Sequence, residues 1–378
     1  MRTGKVKIGI VGAGSFVNLW YLPILKIMHP AVQLQAICSL NGINAVKLAQ
    51  KYDILATYDS YHEMIDRERL DGICIVTPNY SHYEIAIEAC KRGIHVMCEK
   101  PLAMNHEDAR SMLEFAEKNE IVHGVNFTYR ENPAVKKLKE LLEDGFIGQI
   151  YEGNFQYTGA YGLSGPPGWR GTKSKGGIGG VLADLGSHLI DLVQYVLDEE
   201  VNRVTSSLSF LHEGKLKMIH EMESHDQSAD SVSFHGIFPS GIHGSFYTSW
   251  IASQGNRNQT IELSLRGSKG AIQLLSSELG IQLKYAYGRE LWKEYHLECA
   301  TKWADSNEAN EDNFRPWRLT NRNEIWKWTD LILENKVSEN IFLTSIPNFK
   351  DGYSVQKVID AVILSAEHNR EVLVELMT

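Results

Sequence analysis

The chain has 378 residues, of which 43% are hydrophobic and 22% charged, with a formal net charge of −9 at pH 7. That length exceeds one typical domain and predicts two, each able to bury a core. The acidic balance excludes a general nucleic-acid or anionic-membrane partner. With no signal-type leader and no apolar run long enough to cross a bilayer, the expected location is the cytoplasm.

The first third alternates short strands with helical patterns. Val6–Val11 is an apolar strand, Val32–Cys38 a second, and a helical stretch follows around Asn44–Tyr52. Gly72–Thr77 reads as a buried strand, Tyr83–Arg92 as a helix and Ile94–Cys98 as a strand. A helix follows over Glu107–Lys118, capped by Asn105, and Ile121–Asn126 closes the series. Strands separated by single helices predict βαβ units and a parallel sheet covered on both faces.

Beyond about residue 130 the pattern changes. A helix at Pro133–Asp144 precedes a strand around Gln149–Thr158, a loop rich in Gly and Pro over 162–180, and an apolar helix over Leu182–Leu197. Strands without intervening helices follow at about Asp230–Phe238, Gly241–Ile251, Thr260–Arg266 and Ala271–Leu275, with hairpin-type connectors at 239–241 and 267–270. Residues 288–318 show no period, and helices are expected near Asn323–Glu334 and Val355–His368. The predicted fold class is α/β: a Rossmann-type doubly wound parallel sheet over 1–130, then an α+β domain over 131–378 on a mostly antiparallel open sheet. The last helix is expected to pack back on the first domain. An open sheet face that is apolar must be covered, so a homodimer or homotetramer through it is expected.

Three local features carry chemistry. The first strand runs into Gly12-Ala13-Gly14-Ser15-Phe16-Val17, a dinucleotide-type turn in which Val17 stands where a third glycine would ease helix–strand packing. Two glycines allow a tight turn and close backbone approach to a pyrophosphate at a helix N-terminus. The second strand ends in Cys38-Ser39-Leu40-Asn41, with no acid to take ribose hydroxyls. Its absence favours NADP, although no arginine stands beside Ser39 to hold a 2′-phosphate, and NAD stays open.

The stretch His95-Val96-Met97-Cys98-Glu99-Lys100-Pro101 ends a buried strand in an acid and a base. Ligands in such sheets bind beyond the carboxyl ends of strands. Pro101 restricts Lys100 to an extended conformation, from which its ammonium can stabilise a substrate oxygen as charge develops. On the Leu182–Leu197 helix, Leu185, Leu189, Leu192, Val193 and Val196 form an apolar face. Asp184, His188 and Asp191 form a polar stripe at i, i+4 and i+7. A carboxylate beside the imidazole would fix its tautomer and raise its basicity, making His188 a general base, while Asp191 reads as a cap or a lysine partner.

No catalytic metal is expected: the histidines of His220-Glu221-Met222-Glu223-Ser224-His225-Asp226 are five apart, on different faces of any helix. Cys38, Cys74, Cys90, Cys98 and Cys299 include no CxxC pair and read as reduced thiols.

Taken together, "TPNYSHYEIAIEACKRGIHVMCEKP" (77–101), "GWRGTKSKGGIGGVLADLGSHLIDL" (168–192) and the two-domain layout resemble the Gfo/Idh/MocA oxidoreductases, NAD(P)-dependent enzymes many of which act on sugars and inositols. The resemblance implies that Gly12, Ala13, Gly14, Ser15 and Phe16 hold the cofactor phosphates and that Ser39 and Asn41 lie near the adenosine ribose. It implies that Thr77, Pro78, Asn79 and His82 line the cofactor, with Glu99, Lys100 and Asn126 at the nicotinamide. Lys100, Asp184 and His188 would be the catalytic set, with Trp169 and Arg170 in a loop over the site. Tyr129, Arg130, Tyr157 and Trp317 are candidates for a sugar-binding wall. The expected activity is hydride transfer between NAD(P) and a secondary alcohol or carbonyl of a sugar, inositol or related polyol. Three alternatives remain open: a redox-neutral glycosidase or epimerase holding its nicotinamide tightly, a reductase of a non-sugar carbonyl or imine, and a non-catalytic NAD(P)-binding regulator.

Overall fold

The computed structural model describes residues 5–28, 30–165, 167–222, 226–255, 257–277, 279–297, 324–335 and 346–377. Cys299, Trp317 and the greater part of the aperiodic region lie outside them, as do residues 223–225 of the His220–Asp226 stretch. The chain divides into two compact units, Met1–Thr128 with Arg315–Tyr353, and Tyr129–Phe314 with Ser354–Thr378.

Unit 1 is built on six parallel strands, β1 (Val6–Val11), β2 (Val32–Cys38), β3 (Ala56–Tyr58), β4 (Gly72–Ile75), β5 (His95–Cys98) and β6 (His123–Val125). Their order is β3-β2-β1-β4-β5-β6, so the topological switch point falls between β1 and β4, where doubly wound sheets bind ligands. The connecting helices are α1 (Leu22–Ile27), α2 (Gly42–Tyr52), α3 (Tyr61–Arg67), α4 (His82–Lys91) and α5 (His106–Lys118). Asn105 caps α5 as expected, its Oδ1 accepting from the amide of Asp108 at 2.8 Å. Buried Val6, Ile8 and Ile10 pack with Ile24 and Leu25 from α1 and with Trp328 from a helix late in the sequence, Glu324–Asn335.

That late helix corrects the expected domain division, which assigned everything after residue 130 to the second domain. The Trp328 indole donates to the carbonyl of Val122 at 3.1 Å. Gly72 leaves room for it, since a Cβ there would meet the ring at 2.7 Å. Helical periodicity locates such a helix but not the surface that receives its indole.

His123 is a second tie inside unit 1. Its Nδ1 accepts the amide of Phe349 at 3.0 Å and its ring lies 4.7 Å from the Phe349 ring. Burial pushes its pKa down to about 4 from 6.5, against the opposing pull of Asp351. The folded state therefore prefers the neutral imidazole. Its contribution is fully present above pH 6.5 and is lost as pH falls from 6.5 toward 4, by up to about 3 kcal/mol. Urea unfolding of the wild type and of His123→Asn at pH 7.5 and pH 5 checks this. The variant is expected to be less stable at pH 7.5 and less sensitive to acid; equal sensitivity in both proteins would refute it.

Unit 2 holds a ten-stranded sheet: β7 (Ile150–Gly159), β8 (Arg203–His212), β9 (Lys215–Met218), β10 (Ser231–Ile237), β11 (His243–Ser249), β12 (Gln259–Gly267), β13 (Gly270–Ser277), β14 (Gly280–Tyr287), β15 (Lys293–Glu294) and β16 (Val372–Leu373). The path is β15-β14-β13-β12-β7-β11-β10-β8-β16, with β9 on β8. The β7–β11 pair is parallel and its neighbours are antiparallel. The helices are α6 (Pro133–Glu143), α7 (Lys173–Gly176) and α8 (Ser187–Leu197). The last long helix, Phe349–His368, crosses the division between the units, its residues from Ser354 onward falling in this one. Its Val362 carbonyl accepts from the Ser206 hydroxyl, and Ser354 accepts from Gln194.

The outer face of this sheet mixes polar side chains with the exposed aromatic rings of Tyr247 and Trp292. Gln156, Ser233, His235, Ser245, Glu262 and Arg266 line it. An antiparallel sheet with one solvated face alternates apolar-in and polar-out, and β11 and β12 do so along their length. Among the described residues, no helix is long and apolar enough to cross a membrane.

Candidate functional site

In unit 1 the predicted cofactor residues all follow the carboxyl ends of strands. Gly12 sits at φ +115° with its amide bonded to the carbonyl of Cys38 at 2.8 Å. A Cβ there would lie 2.2 Å from the backbone oxygen of Val76, so only glycine makes this turn. At Gly14 a Cβ would meet nothing within 4 Å. The chain becomes helical at Ser15 and Phe16, then widens into a π-turn, Val17–Tyr21, which begins at the fully buried valine in the third-glycine place. After β2, the Ser39 hydroxyl accepts the amide of Asn41 at 3.3 Å.

The loop after β4 is tightly tied. The Ser81 hydroxyl donates to Thr77 Oγ1 at 2.8 Å and lies 2.9 Å from the Pro78 carbonyl. His82 is buried, with Nε2 2.9 Å from the Thr77 carbonyl and Nδ1 3.0 Å from that of Pro101. It braces the loops after β4 and β5 against each other. Burial lowers its pKa, and its backbone contacts oppose that. Asn79 is buried with Oδ1 lacking a hydrogen-bond partner.

Glu99 follows β5 and is buried. Its Oε1 accepts from the Tyr21 hydroxyl at 2.8 Å and from Asn126 Nδ2 at 2.6 Å. Burial raises its pKa, while the Asn126 bond, the Lys100 charge and the Tyr21 bond draw it back. The Asn126 Oδ1 is a second buried acceptor without a partner. Lys100 is half-buried beside this cluster, and the Lys100–Pro101 bond is cis. The π-turn tyrosine is 78 residues from Glu99 in sequence, and no local pattern announces that contact.

In unit 2 the expected continuous helix over 182–197 resolves into a π-turn, Leu182–Gly186, followed by α8. The three residues of its polar stripe go to different surroundings. Asp184 accepts from the Tyr161 hydroxyl at 2.8 Å and from Arg170 Nε at 3.1 Å. The Arg170 guanidinium lies 4.5 Å over the Trp169 ring. His188 is buried against Tyr129, edge to face at 4.8 Å, with the Tyr157 ring at 6.3 Å. The two tyrosine hydroxyls lie 2.6 Å apart, and that of Tyr157 donates to Gln259 at 3.0 Å.

Asp191, fully buried, is an arginine partner rather than a cap or lysine partner. Arg130 Nε reaches its two oxygens at 3.1 and 3.0 Å. Arg130 also covers the Tyr195 ring. The loop over 162–180 contains a series of short turns, Tyr161–Ser164, Gly168–Gly171 and α7.

Two family models fall on this chain. Residues 6–127 match an oxidoreductase family model with an NAD-binding Rossmann fold, and residues 135–273 match the GFO/IDH/MocA C-terminal domain.

The chain belongs to the Gfo/Idh/MocA oxidoreductase family.

Within that family it is similar to levoglucosan dehydrogenase of Pseudarthrobacter phenanthrenivorans, 32% identical over 213 residues, 54% of each chain. It is also similar to D-glucoside 3-dehydrogenase of Escherichia coli, 31% identical over 235 residues, 61% of this chain and 65% of that one. The chain thus spans between half and two thirds of the length of these curated relatives. A solved structure of levoglucosan dehydrogenase in complex with NADH and levoglucosan superposes with a TM-score of 0.79 at 25% identity, over 98% of this chain and 100% of that one.

The residues of this Gfo/Idh/MocA chain fit a dinucleotide. Gly12 closes a turn that no other residue can make, and the open space at Gly14 leaves the backbone approachable by a phosphate. The buried, unpartnered Asn79 Oδ1 and Asn126 Oδ1 are acceptors of the kind a carboxamide N–H would satisfy.

Proposed function

We propose that the protein is an NAD(P)-dependent dehydrogenase acting on a secondary alcohol, or the corresponding carbonyl, of a sugar, inositol or related polyol. The observation that carries this reading is the Gly12–Gly14 turn, closed to any side chain at the first glycine and open at the second, in a chain matched by both domain models of one oxidoreductase family.

Bound nicotinamide supplies the hydride acceptor. Gly12 to Phe16 hold the phosphates, and Asn79 and Asn126 receive the carboxamide. Lys100 donates a hydrogen bond to the substrate oxygen and favours its alkoxide-like character. His188 removes the hydroxyl proton and returns it in the reverse direction. Asp184 keeps a carboxylate available to a substrate hydroxyl or to the imidazole. Ser39, Leu40 and Asn41 offer no guanidinium for a 2′-phosphate, and the related levoglucosan dehydrogenase is described with NADH, which moves the balance from NADP to NAD.

The test is reduced-nicotinamide absorbance with NAD+ or NADP+ across levoglucosan, glucosides, glucose 6-phosphate, inositols and aldoses. Turnover with one polyol and preference for NAD+ is the expected result. Silence across the panel, with dinucleotide retained by the purified protein, would replace this reading by the redox-neutral one.

A further inference from the structure

Asp184 is gripped from both sides within unit 2. Its Oδ2 accepts from the Tyr161 hydroxyl at 2.8 Å and its Oδ1 from Arg170 Nε at 3.1 Å. We propose that Tyr161 is a positioning residue for Asp184, the fixed half of a clasp whose other half is Arg170; the proposal rests on the dehydrogenase reading above.

The two halves differ in what stands behind them. The Tyr161 ring lies 6.1 Å from that of Trp250. The next residue, Gly162, donates its amide to the Trp250 carbonyl at 2.8 Å. A Cβ on Gly162 would lie 2.2 Å from the indole, so glycine lets the turn rest on the tryptophan. Trp250 is fully buried, and its Nε1 donates to Asp230 Oδ1 at 2.5 Å. Asp230 in turn accepts the amide of Leu211 at 2.8 Å and the Gln227 amide at 2.9 Å. A set of hydrogen bonds and ring contacts thus runs from Asp230, just before β10, through Trp250, just after β11, to the Tyr161 ring. Arg170, by contrast, is 42% exposed and stacks on Trp169 in a loop.

The chemical consequence follows from the acceptor count. A carboxylate offers about four lone-pair directions, and Tyr161 and Arg170 take one on each oxygen. Donors to a carboxylate also favour its charged form. Positioned groups tolerate roughly half an ångström of error before catalysis suffers. The fixed phenol therefore keeps Asp184 aimed whether or not Arg170 stays in place.

The test compares wild type, Tyr161→Phe and Arg170→Gln as intact protein. With the best polyol from the panel, Tyr161→Phe is expected to lower kcat about tenfold, leaving KM for the dinucleotide unchanged. The acid limb of its kcat/KM profile should move to higher pH. Tyr161 and Arg170 bond to Asp184, Tyr157 lies near Tyr161 and His188 follows one turn along the helix, and of these only Tyr161 is altered. A readout independent of activity is native-state trypsin cleavage at Lys173 or Lys175, which both variants should accelerate. Wild-type cleavage rates with a wild-type pH profile in Tyr161→Phe would overturn the clasp. A wild type silent with all substrates would overturn the dehydrogenase reading instead, while the cleavage rates still decide the clasp.

Discussion

Replacing His188 by alanine is expected to lower turnover about 10²–10⁴-fold, the range that a positioned general base contributes, with dinucleotide affinity unchanged. The imidazole is buried against the Tyr129 and Tyr157 rings, so substitution leaves a small void. The rate must therefore be judged beside the thermal midpoint. A stability loss alone would lower the active fraction without altering the rate per folded molecule. Lys100→Met is the companion: removal of a donor to a developing oxyanion costs roughly 10²–10³ in kcat. Near wild-type turnover in both variants, with cofactor still bound, would remove the proposed mechanism. Loss in only one would leave the other residue in a structural part.

Gly12→Ala and Gly14→Ala should separate fold from ligand at the same turn. At Gly12 the added methyl meets backbone, the Val76 oxygen at 2.2 Å, and the φ of +115° disfavours any Cβ. Backbone cannot rotate out of the way as a side chain can. A destabilisation of roughly 2–5 kcal/mol is expected, combining strain and overpacking, and dinucleotide binding should be lost with it. At Gly14 the methyl enters open space, so the thermal midpoint should hold while affinity for the dinucleotide falls at least tenfold. Calorimetric unfolding and fluorescence titration with NADH measure both. If Gly14→Ala binds as tightly as wild type, no phosphate approaches the backbone there.

Tyrosine, glutamate and asparagine meet at Glu99 from three separate segments, which shows why the paired acid and base after β5 look odd in sequence. Glu99 is turned inward, onto Tyr21 and Asn126. Burial raises its pKa, and its side-chain hydrogen-bond partners are interior ones. A salt bridge between adjacent exposed side chains would have stabilised little.

What the amino-acid order determined by itself was local and periodic. The glycine turn, the βαβ rhythm of the first 126 residues apart from α1, β3 and α3, and the Asn105 cap are legible because each depends on residues a few positions apart. Strands β10 to β13 were legible for the same reason, as apolar–polar alternation between turn residues. Strand β8 was not, because serines at 206, 207 and 209 interrupt its apolar pattern, and pairing with β9, β10 and β16 completes it. The helix over 182–197 was legible as apolar, but not the π-turn that opens it.

Tertiary structure alone decided where the polar groups went. Arg130 and Asp191 are 61 residues apart, and Tyr161 and Asp184 are 23 apart. A carboxylate leaving water needs a donor, and the sequence shows the need without showing which donor the fold brings. The same holds for the Glu324–Asn335 helix, whose apolar face is plain in the sequence but whose place in unit 1 depends on the space that Gly72 leaves for Trp328. Periodicity states which side of an element must be buried; only the packed chain states against what.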